Sequence, residues 1–296
     1  MNYDVVIVGG GPAGLAAALT LGRGCKKVLL CDAGTPRNAA AHAINNFVSQ
    51  DGINPAEFRR VSREQLQKYP LVSVQKLLLE GISTVEGGFS VQSAEGFFTA
   101  RRVLLALGMV DELPGLPGYR ELWGNGLFQC PYCHGYELKD KAWGFWAASA
   151  QWLEFGLFLT GWTRDVMVFT NGDYEVPPEI REKLTRAKIT IEERKLIGLR
   201  GEHGKLCAVQ VEGAEITREA LVVRPPQAQT RLVQSLAVAL DEQGFVKINA
   251  QYQTSLAGIY AAGDLTTMAQ AAMGAAAAGM MAAAMLNHEL TMSAWQ

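Results

Sequence analysis

The feature that most constrains this chain is a glycine-rich turn between a strand and a helix. Residues 9–14 read G-G-G-P-A-G and fit the spacing G-x-G-x-x-G. They follow the apolar run 5–8 (V-V-I-V) and precede an Ala- and Leu-rich segment typical of a helix. In this setting the first glycine permits a tight turn, the second lets the backbone approach a pyrophosphate, and the third lets helix and strand pack closely. The turn therefore predicts a dinucleotide-binding βαβ unit over residues 4–32.

A carboxylate and a second glycine motif extend this prediction. Asp32 ends the second strand of the unit, where a carboxylate can hold a ribose hydroxyl. Residues 258–264 (G-I-Y-A-A-G-D) precede a long Ala-rich segment and resemble the second FAD fingerprint of two-dinucleotide-domain flavoproteins. That resemblance implies that Asp264 holds the ribityl chain and that the following helix N-terminus stabilises negative charge on the flavin. The alternative is a plain strand-to-helix turn in which Asp264 is the N-cap.

A cysteine pair supplies the redox chemistry. Residues 130–134 read C-P-Y-C-H, and two cysteines at this spacing can close a small disulfide ring and exchange with another disulfide. Half of a zinc site is the rival interpretation, but the remaining cysteines and histidines are scattered along the chain, so we expect no metal. His134 follows the pair directly and can shuttle the proton that thiol–disulfide exchange requires, unless it is only a capping or surface residue.

Composition and charge exclude several classes of protein. The chain has 27 Lys and Arg against 29 Asp and Glu, which argues against a nucleic-acid binder. Five cysteines in 296 residues do not make a disulfide scaffold. No basic segment precedes the first strand, so we expect no signal peptide and a cytoplasmic protein. The apolar stretch 269–286 is too short to span a membrane and predicts a buried helix instead.

These motifs together resemble the low-molecular-weight thioredoxin reductase family over nearly the whole chain. Residues 130–137 and 36–38 look closest to the branch that contains fungal and bacterial dithiol oxidases. The resemblance implies a homodimer, FAD, and electron flow between the flavin and the cysteine pair. It also implies that Cys133 lies next to the flavin while Cys130 attacks the external substrate. His134 stands where bacterial reductases of the family carry an Asp acid.

The same resemblance implies the fold and its division into domains. We expect an α/β protein with two Rossmann-like dinucleotide-binding domains, the second inserted in the first. The FAD-binding domain would comprise residues 1–112 and 241–296. The inserted domain, residues 113–240, would carry the cysteine pair.

The FAD site can be assigned residue by residue from these motifs. Residues 104–108 (L-L-A-L-G) resemble the short Ala-Thr-Gly crossing motif of the family, with Leu in place of Thr. The residues expected to contact FAD are Gly9, Gly11, Pro12, Ala13, Gly14, Asp32, Ala33, Arg37, Asn38, Asn46, Ala106, Gly108, Gly263, Asp264, Gln270 and Ala271.

The inserted domain departs from the family at its own nucleotide turn. A strand over 142–147, a helix over 150–162 and a strand over 165–170 place A-A-S-A (147–150) at that turn, so that Ala147 and Ser149 replace its first two glycines. A side chain at the second position stands where the backbone must meet a pyrophosphate. The basic stretch after the next strand is absent, and residues 171–175 (N-G-D-Y-E) carry two acids that would repel a 2′-phosphate. The sequence predicts that NADPH is not a ligand.

Tryptophans flank this altered turn. Trp146 and Trp152 either fill the core after loss of a ligand or form an aromatic platform for another planar molecule, such as a second FAD. Family members that do not depend on pyridine nucleotides include ferredoxin-linked and diflavin-linked enzymes. A modest basic cluster over 181–188 could steer an acidic partner such as ferredoxin, although acidic residues interrupt it.

Three functions follow. The first is an FAD-dependent disulfide oxidoreductase that takes electrons from ferredoxin or a second flavin. The second is a dithiol oxidase that closes a disulfide in a small molecule and passes electrons to oxygen. The third is a non-catalytic flavin-binding sensor, against which the intact cysteine pair argues. The substrate would be a thioredoxin-like protein or a small dithiol or disulfide.

Overall fold

The computed structural model describes residues 2–295, and these form two compact units. Unit one comprises the residues up to Ala39, Ile53–Asp111 and the residues from Gln227 onward. Unit two comprises Ala40–Gly52 and Glu112–Pro226. The chain returns to unit one at Gln227 rather than after 240, because a two-residue strand at Gln227–Ala228 pairs with one at Val110–Asp111.

The chain contains 17 strands and eight α-helices over the described residues 2–295. The strands are β1 (Tyr3–Val8), β2 (Val28–Asp32), β3 (Val72–Lys76), β4 (Leu79–Val85), β5 (Gly88–Ser93), β6 (Gly96–Leu105), β7 (Val110–Asp111), β8 (Leu127–Phe128), β9 (Trp143–Trp146), β10 (Val166–Phe169), β11 (Thr190–Glu192), β12 (Leu196–Glu202), β13 (Lys205–Val211), β14 (Ala214–Thr217), β15 (Ala220–Val222), β16 (Gln227–Ala228) and β17 (Ile259–Ala261). The α-helices are α1 (Pro12–Arg23), α2 (Pro55–Leu66), α3 (Tyr119–Leu122), α4 (Pro131–His134), α5 (Phe155–Leu159), α6 (Pro178–Arg186), α7 (Arg231–Ser235) and α8 (Ala272–Met292). Short 3-10 turns lie at Arg37–Ala40, Ala150–Trp152, Asp264–Thr266 and Ser293–Trp295.

Unit one is built on a seven-stranded sheet. Its order is β3-β2-β1-β6-β5-β4, and β17 also pairs with β6. Strands β3, β2, β1, β6 and β17 run parallel, whereas β4 and β5 are antiparallel additions. Because side chains alternate along a strand, β1 contributes Val6 and Val8 to one core and Val5 and Ile7 to the other. The parallel strands therefore bring the ends of β1, β2, β6 and β17 to one edge of the sheet.

Unit two is built on a five-stranded parallel sheet with the order β11-β10-β9-β15-β8. A three-stranded antiparallel sheet, β12-β13-β14, accompanies it. With two parallel sheets of this type, the expected α/β fold with two Rossmann-like domains is confirmed.

The helix predicted over 150–162 is wrong. The segment forms a 3-10 turn at Ala150–Trp152, and only Phe155–Leu159 is α-helical. Trp152 occupies the position at which a dinucleotide turn carries its third small residue, which lets the helix pack closely on the strand. An indole cannot fit such a close approach, so the regular helix begins further along the chain.

The long helix α8 packs against α1 at very close range. A Cβ added to Gly279 would lie 2.0 Å from the carbonyl oxygen of Ala13, so only glycine fits there. The buried residues of α8 include Ala282, Ala283 and Leu286, as expected of a helix packed on a sheet layer. Over residues 2–295, the structure contains no helix with the length and apolar character needed to cross a membrane.

Candidate active site

The first glycine turn has the geometry of a dinucleotide cradle. Gly9 has φ +112°, and a Cβ there would lie 2.2 Å from the carbonyl oxygen of Ala106. A Cβ on Gly14 would lie 1.9 Å from the carbonyl oxygen of Gly9. At Gly11, by contrast, no non-neighbouring atom of the described residues lies within 4 Å of a Cβ. The turn therefore has no room for a side chain at Gly9 or Gly14, whereas the space beside Gly11 is open.

Helix α1 begins immediately behind this turn. Gly11 is its N-cap, Pro12 occupies the first turn, and the N–H of Leu15 donates to the carbonyl oxygen of Gly11 at 3.0 Å. Ala13 is buried, and the helix continues for 12 residues. A regular helix N-terminus presents N–H groups and partial positive charge to an anion, which is the requirement for binding a pyrophosphate.

Asp32 ends β2 as expected, and its carboxylate has partners that the sequence did not reveal. One oxygen accepts the N–H of Gly34 at 3.0 Å, and the other is ion-paired with Arg63 of α2. Ala33 is exposed beside it. Arg63 carried no sequence signal because α2 approaches β2 only in the folded unit.

A polar network surrounds Asp264. Arg37 donates from Nη1 to Asp264 Oδ2 at 3.2 Å and to Gln270 Oε1, and its other nitrogens form a two-pronged pair with Asp111 at 2.7 and 2.8 Å. Gln227 donates to Asp111 at 2.8 Å and exchanges hydrogen bonds with Gln270. Three predicted residues, Arg37, Asp264 and Gln270, are therefore brought together. Asp111 and Gln227 were missed because each lies in a short strand with no motif of its own.

Two opposing effects act on the charge of Asp264. Burial raises the pKa of Asp264, and the nearby Arg37 guanidinium opposes that rise. Gly263, with φ +91°, turns the chain from β17 towards Asp264. The arrangement holds the carboxylate just beyond the end of the parallel strand β17, whose neighbour in the sheet is β6.

The remaining predicted contacts are distributed around the two units. Asn38 accepts a hydrogen bond from Arg59 at 3.1 Å, and Ala271 is the N-cap of α8. Ala106 and Gly108 follow β6, where Ala106 is buried and Gly108 has φ +66°. Asn46 belongs to unit two, where its backbone N–H donates to Asp51 at 2.6 Å.

The cysteine pair lies at the start of α4. The sulfurs of Cys130 and Cys133 are 2.6 Å apart, so the two residues are within reach of a disulfide bond. Asn45, which the sequence analysis did not select, donates from Nδ2 to the carbonyl oxygen of Cys133 at 2.8 Å. The pKa of the Cys130 thiol is lowered to about 7, first by a hydrogen bond from the Cys133 thiol, then by backbone N–H groups of Cys133 and Tyr132 and the charge of Arg224. A lowered pKa raises the thiolate fraction of Cys130 at neutral pH, which thiol–disulfide exchange requires.

His134 is held as a neutral, half-buried imidazole. Burial lowers its pKa, against the charge of Glu137. Its ring packs on Phe128 with 5.5 Å between ring centroids. Within residues 2–295, Nδ1 is buried without a hydrogen-bond partner. A neutral imidazole with an unsatisfied nitrogen can accept a proton from a thiol, as the sequence prediction requires.

The second turn, over 147–152, is built differently from the first. The N–H of Trp152 donates to Ser149 at 3.0 Å, and the N–H of Leu153 donates to Ala150 at 3.2 Å. These bonds follow the i→i−3 pattern of a 3-10 turn, whereas the equivalent N–H of Leu15 in the first turn donates to Gly11 in the i→i−4 pattern of an α-helix. The hydroxyl of Tyr174 donates to the carbonyl oxygen of Ala147 at 2.7 Å. The backbone of this turn is therefore engaged in hydrogen bonds within unit two, at Ala147, Ser149 and Ala150.

Aromatic and cationic groups cover the tryptophans of this region. The Arg224 guanidinium lies 4.2 Å from the ring centre of Trp152 and 5.2 Å from that of Phe155. Trp146 makes an edge contact with Tyr119 at 6.3 Å between centroids. One face of Trp152 is thus used within the unit, which limits its use as a stacking platform.

Most of the charged side chains expected to repel a 2′-phosphate or to attract an acidic partner form ion pairs within the protein. Asp173 is bonded to Lys195 at 2.7 Å, and that hydrogen bond holds the pKa of the carboxyl below its usual range. On α6, Arg181 pairs with Glu193 at 2.9 Å and Lys183 pairs with Glu154 at 2.5 Å. No group of three or more metal-binding side chains is found over residues 2–295.

Comparison with known proteins decides the family. The profile of the pyridine nucleotide-disulphide oxidoreductases matches residues 3–282. The chain belongs to this family. The oxidoreductase is 30% identical to thioredoxin reductase tcpT of Claviceps purpurea over 305 residues, which cover 97% of this chain and 94% of that protein. A relative from Arthroderma benhamiae is 35% identical over 178 residues, which cover 58% of this chain and 44% of that protein.

Solved structures agree. TrxB of Bacillus anthracis has a TM-score of 0.93 at 32% identity and covers 99% of both chains. The oxidoreductase from Agrobacterium tumefaciens has a TM-score of 0.91 at 34% identity, again covering 99% of both chains. The protein is therefore a flavin-dependent disulfide oxidoreductase of the thioredoxin reductase type, and its family implies FAD as the cofactor.

Proposed function

We propose that this oxidoreductase transfers electrons between FAD and the Cys130–Cys133 pair without NADPH, and that its net reaction is oxidation of a dithiol to a disulfide. The observation that carries the proposal is the second turn. The chain forms a 3-10 turn there in place of a regular helix start, Trp152 stands at the close-packing position, and Tyr174 bonds the backbone of Ala147. Without NADPH the electrons must come from another source, and a dithiol substrate supplies two electrons by its own oxidation.

The residues of unit one fit FAD. The cradle at Gly9–Gly14 is open only at Gly11, and a regular helix N-terminus stands behind it. We assign the pyrophosphate to this turn, the ribose hydroxyls to Asp32, and the ribityl chain to Asp264 with Arg37 and Gln270 behind it. Bound FAD supplies a two-electron acceptor that can pass electrons on to oxygen.

The chain's own residues perform the thiol chemistry. One thiolate of the substrate attacks Cys130 in the Cys130–Cys133 disulfide, the bond between the two sulfurs breaks, and Cys133 leaves as a thiolate. The second substrate thiolate then attacks the substrate sulfur of the mixed disulfide and releases Cys130. A thiol with a pKa of about 7 is a good leaving group in this step. His134, neutral and with Nδ1 buried, accepts one thiol proton.

Electrons and protons balance over the whole cycle. The substrate dithiol loses two electrons and two protons and becomes a disulfide, and the Cys130–Cys133 disulfide takes them up and becomes two thiols. Bound FAD would accept the electrons from the reduced pair, and molecular oxygen would be the final acceptor of both electrons and both protons, forming hydrogen peroxide. Ferredoxin is less well supported, because Arg181 and Lys183 are paired with carboxylates. A second flavin is less well supported, because Arg224 lies on a face of Trp152.

An anaerobic titration tests the proposal. We expect dithiothreitol to bleach the flavin band fully and NADPH to leave it unchanged. On admission of air, each equivalent of dithiothreitol should yield one of hydrogen peroxide. Rapid bleaching by NADPH would overturn the proposal. Release of more than one FAD per chain would favour the second-flavin alternative. A repeat of the titration with reduced thioredoxin in place of dithiothreitol shows whether a protein dithiol is a substrate.

Matched serine variants make the same titration specific for the pair. Cys130→Ser and Cys133→Ser should each abolish bleaching by dithiothreitol, because neither can form the internal disulfide. Cys133→Ser should also lack a thiolate-to-flavin charge-transfer band, whereas Cys130→Ser should show it permanently. Cys207→Ser, at a partly buried thiol on β13, should behave like the wild type.

A further inference from the structure

The sheet of unit two brings an arginine opposite the acidic cysteine. Strands β8 and β15 run parallel with Leu127 opposite Leu221 and Phe128 opposite Val222. The N–H of Val223 continues the ladder by donating to the carbonyl oxygen of Phe128 at 3.0 Å. Cys130 and Arg224 each follow their strand by two residues, so they leave the sheet at matching positions. Neighbouring strands lie about 4.8 Å apart, which keeps two such residues close.

The side chain of Arg224 is held by the altered nucleotide turn. Its guanidinium stacks on Trp152 at 4.2 Å and lies near Phe155 at 5.2 Å. Stacking on an indole face fixes a planar cation and leaves its charge intact. Trp152 stands at the third small-residue position of a dinucleotide turn, where an alanine or glycine could not hold the arginine.

We propose that Arg224 stabilises the thiolate of Cys130, and that Trp152 is a positioning residue which holds Arg224 in place for this purpose. The turn that would have bound a nucleotide thus supports the redox cysteine instead. The inference rests on the proposed redox role of Cys130 and adds a specific residue pair to it.

The charges around Cys130 are consistent with this assignment. Among the described residues, the titratable or charged groups that act on its thiol are Cys133 on α4 and Arg224 after β15. The effect is reciprocal: burial lowers the pKa of Arg224, and the Cys130 charge opposes that change. His134 is half-buried and neutral, so its imidazole adds no positive charge at neutral pH.

The test measures the thiolate directly. In a Cys133→Ser background, which keeps a hydroxyl donor beside Cys130, the rate of iodoacetamide alkylation at Cys130 is followed against pH by peptide mass spectrometry. With Arg224 present, the midpoint should lie below the ordinary pKa of a cysteine thiol. Arg224→Gln should move the midpoint upward and slow alkylation at pH 6.5 by about threefold to tenfold, the loss expected when a nearby positive charge is removed.

Further variants separate charge from position. Trp152→Leu should move the alkylation midpoint upward, as Arg224→Gln does. Trp152→Phe should keep most of the stacking, so its midpoint should stay near that of wild type. The midpoint of Arg224→Lys should fall between those of wild type and Arg224→Gln. Arg200→Gln removes the same charge from β12, where Arg200 pairs with Glu202 and Glu215, and should change nothing.

Two outcomes would overturn the inference. If Arg224→Gln retains bound FAD and its alkylation midpoint is unchanged, Arg224 does not act on Cys130. If Trp152→Leu matches wild type while Arg224→Gln does not, Trp152 is not the positioning residue. Should Arg224→Gln fail to fold, Arg224→Lys and Trp152→Leu decide the question. The assay needs no turnover, so a shifted midpoint in a protein that fails to oxidise dithiothreitol would refute the proposed function and leave this inference standing.

Discussion

The turns at residues 9–14 and 147–152 follow equivalent first strands of two parallel sheets, β1 and β9, and differ at all three small-residue positions. The first has Gly9, Gly11 and Gly14, followed by the 12-residue helix α1. The second has Ala147, Ser149 and Trp152; its residues Ala150–Trp152 form a 3-10 turn, and the five-residue helix α5 follows. The sheet of unit two nevertheless keeps its parallel order. A Rossmann-like sheet is therefore maintained by its core, whereas nucleotide binding depends on a few positions in one turn.

The second turn has also gained contacts that the first does not need. Tyr174 bonds the carbonyl oxygen of Ala147, and Arg224 stacks on Trp152. Both contacts lie within unit two and join the turn to residues that are distant in sequence. The two turns therefore differ in their tertiary contacts as well as in their glycines.

The largest effect on the difference between the two turns is expected from a methyl group added to the first turn, which should weaken FAD binding. Gly11→Ala should leave the apo-protein folded, since a Cβ there meets no non-neighbouring atom of residues 2–295 within 4 Å. It should weaken FAD binding at least about tenfold, because the backbone could no longer approach the pyrophosphate. Flavin released per chain and FAD titration of the apo-protein measure this effect. Gly115→Ala, at a similarly open loop glycine, is the control, and equal FAD affinity in both would refute the assignment of the cradle.

Truncation of the tryptophan in the second turn should have the next largest effect. Trp152→Ala removes a partly buried indole and its stacking with Arg224, and should lower the free energy of unfolding by about 2 kcal/mol. Urea unfolding in excess FAD measures the change. Trp295→Ala, at a tryptophan that is 85% exposed, should change stability little. A Trp152→Ala protein as stable as wild type would mean that the indole has no structural role.

The smallest expected effect concerns the hydrogen bond that closes the second turn. Tyr174→Phe removes the donor to Ala147 and should cost about 1 kcal/mol of unfolding free energy. Tyr136→Phe, at a ring that is 71% exposed, is the matched control and should be neutral in the same urea experiment. A neutral Tyr174→Phe variant would indicate that water replaces the hydroxyl and that the turn does not depend on this bond.

Local patterns predicted some parts of the site and not others. The glycine turn, the Asp264 motif and the cysteine pair were read from contiguous residues, and the structure places Arg37, Asp264 and Gln270 in one network. Asp111 and Arg63 were missed, because each meets its partner from a distant part of the chain. Asn45 was also missed: the neighbouring Asn46 was chosen, yet it is Asn45 that bonds the backbone of Cys133.

The sequence by itself determined the family, the α/β architecture and the loss of glycines from the second turn, because each is written in residues that are adjacent along the chain. Only the tertiary structure decided what took the place of those glycines. The helix predicted over 150–162 gave way to a 3-10 turn, and Arg224 was brought from the end of β15 onto Trp152. Stacking and register join residues far apart in sequence, and such contacts exist only once the parallel strands have aligned.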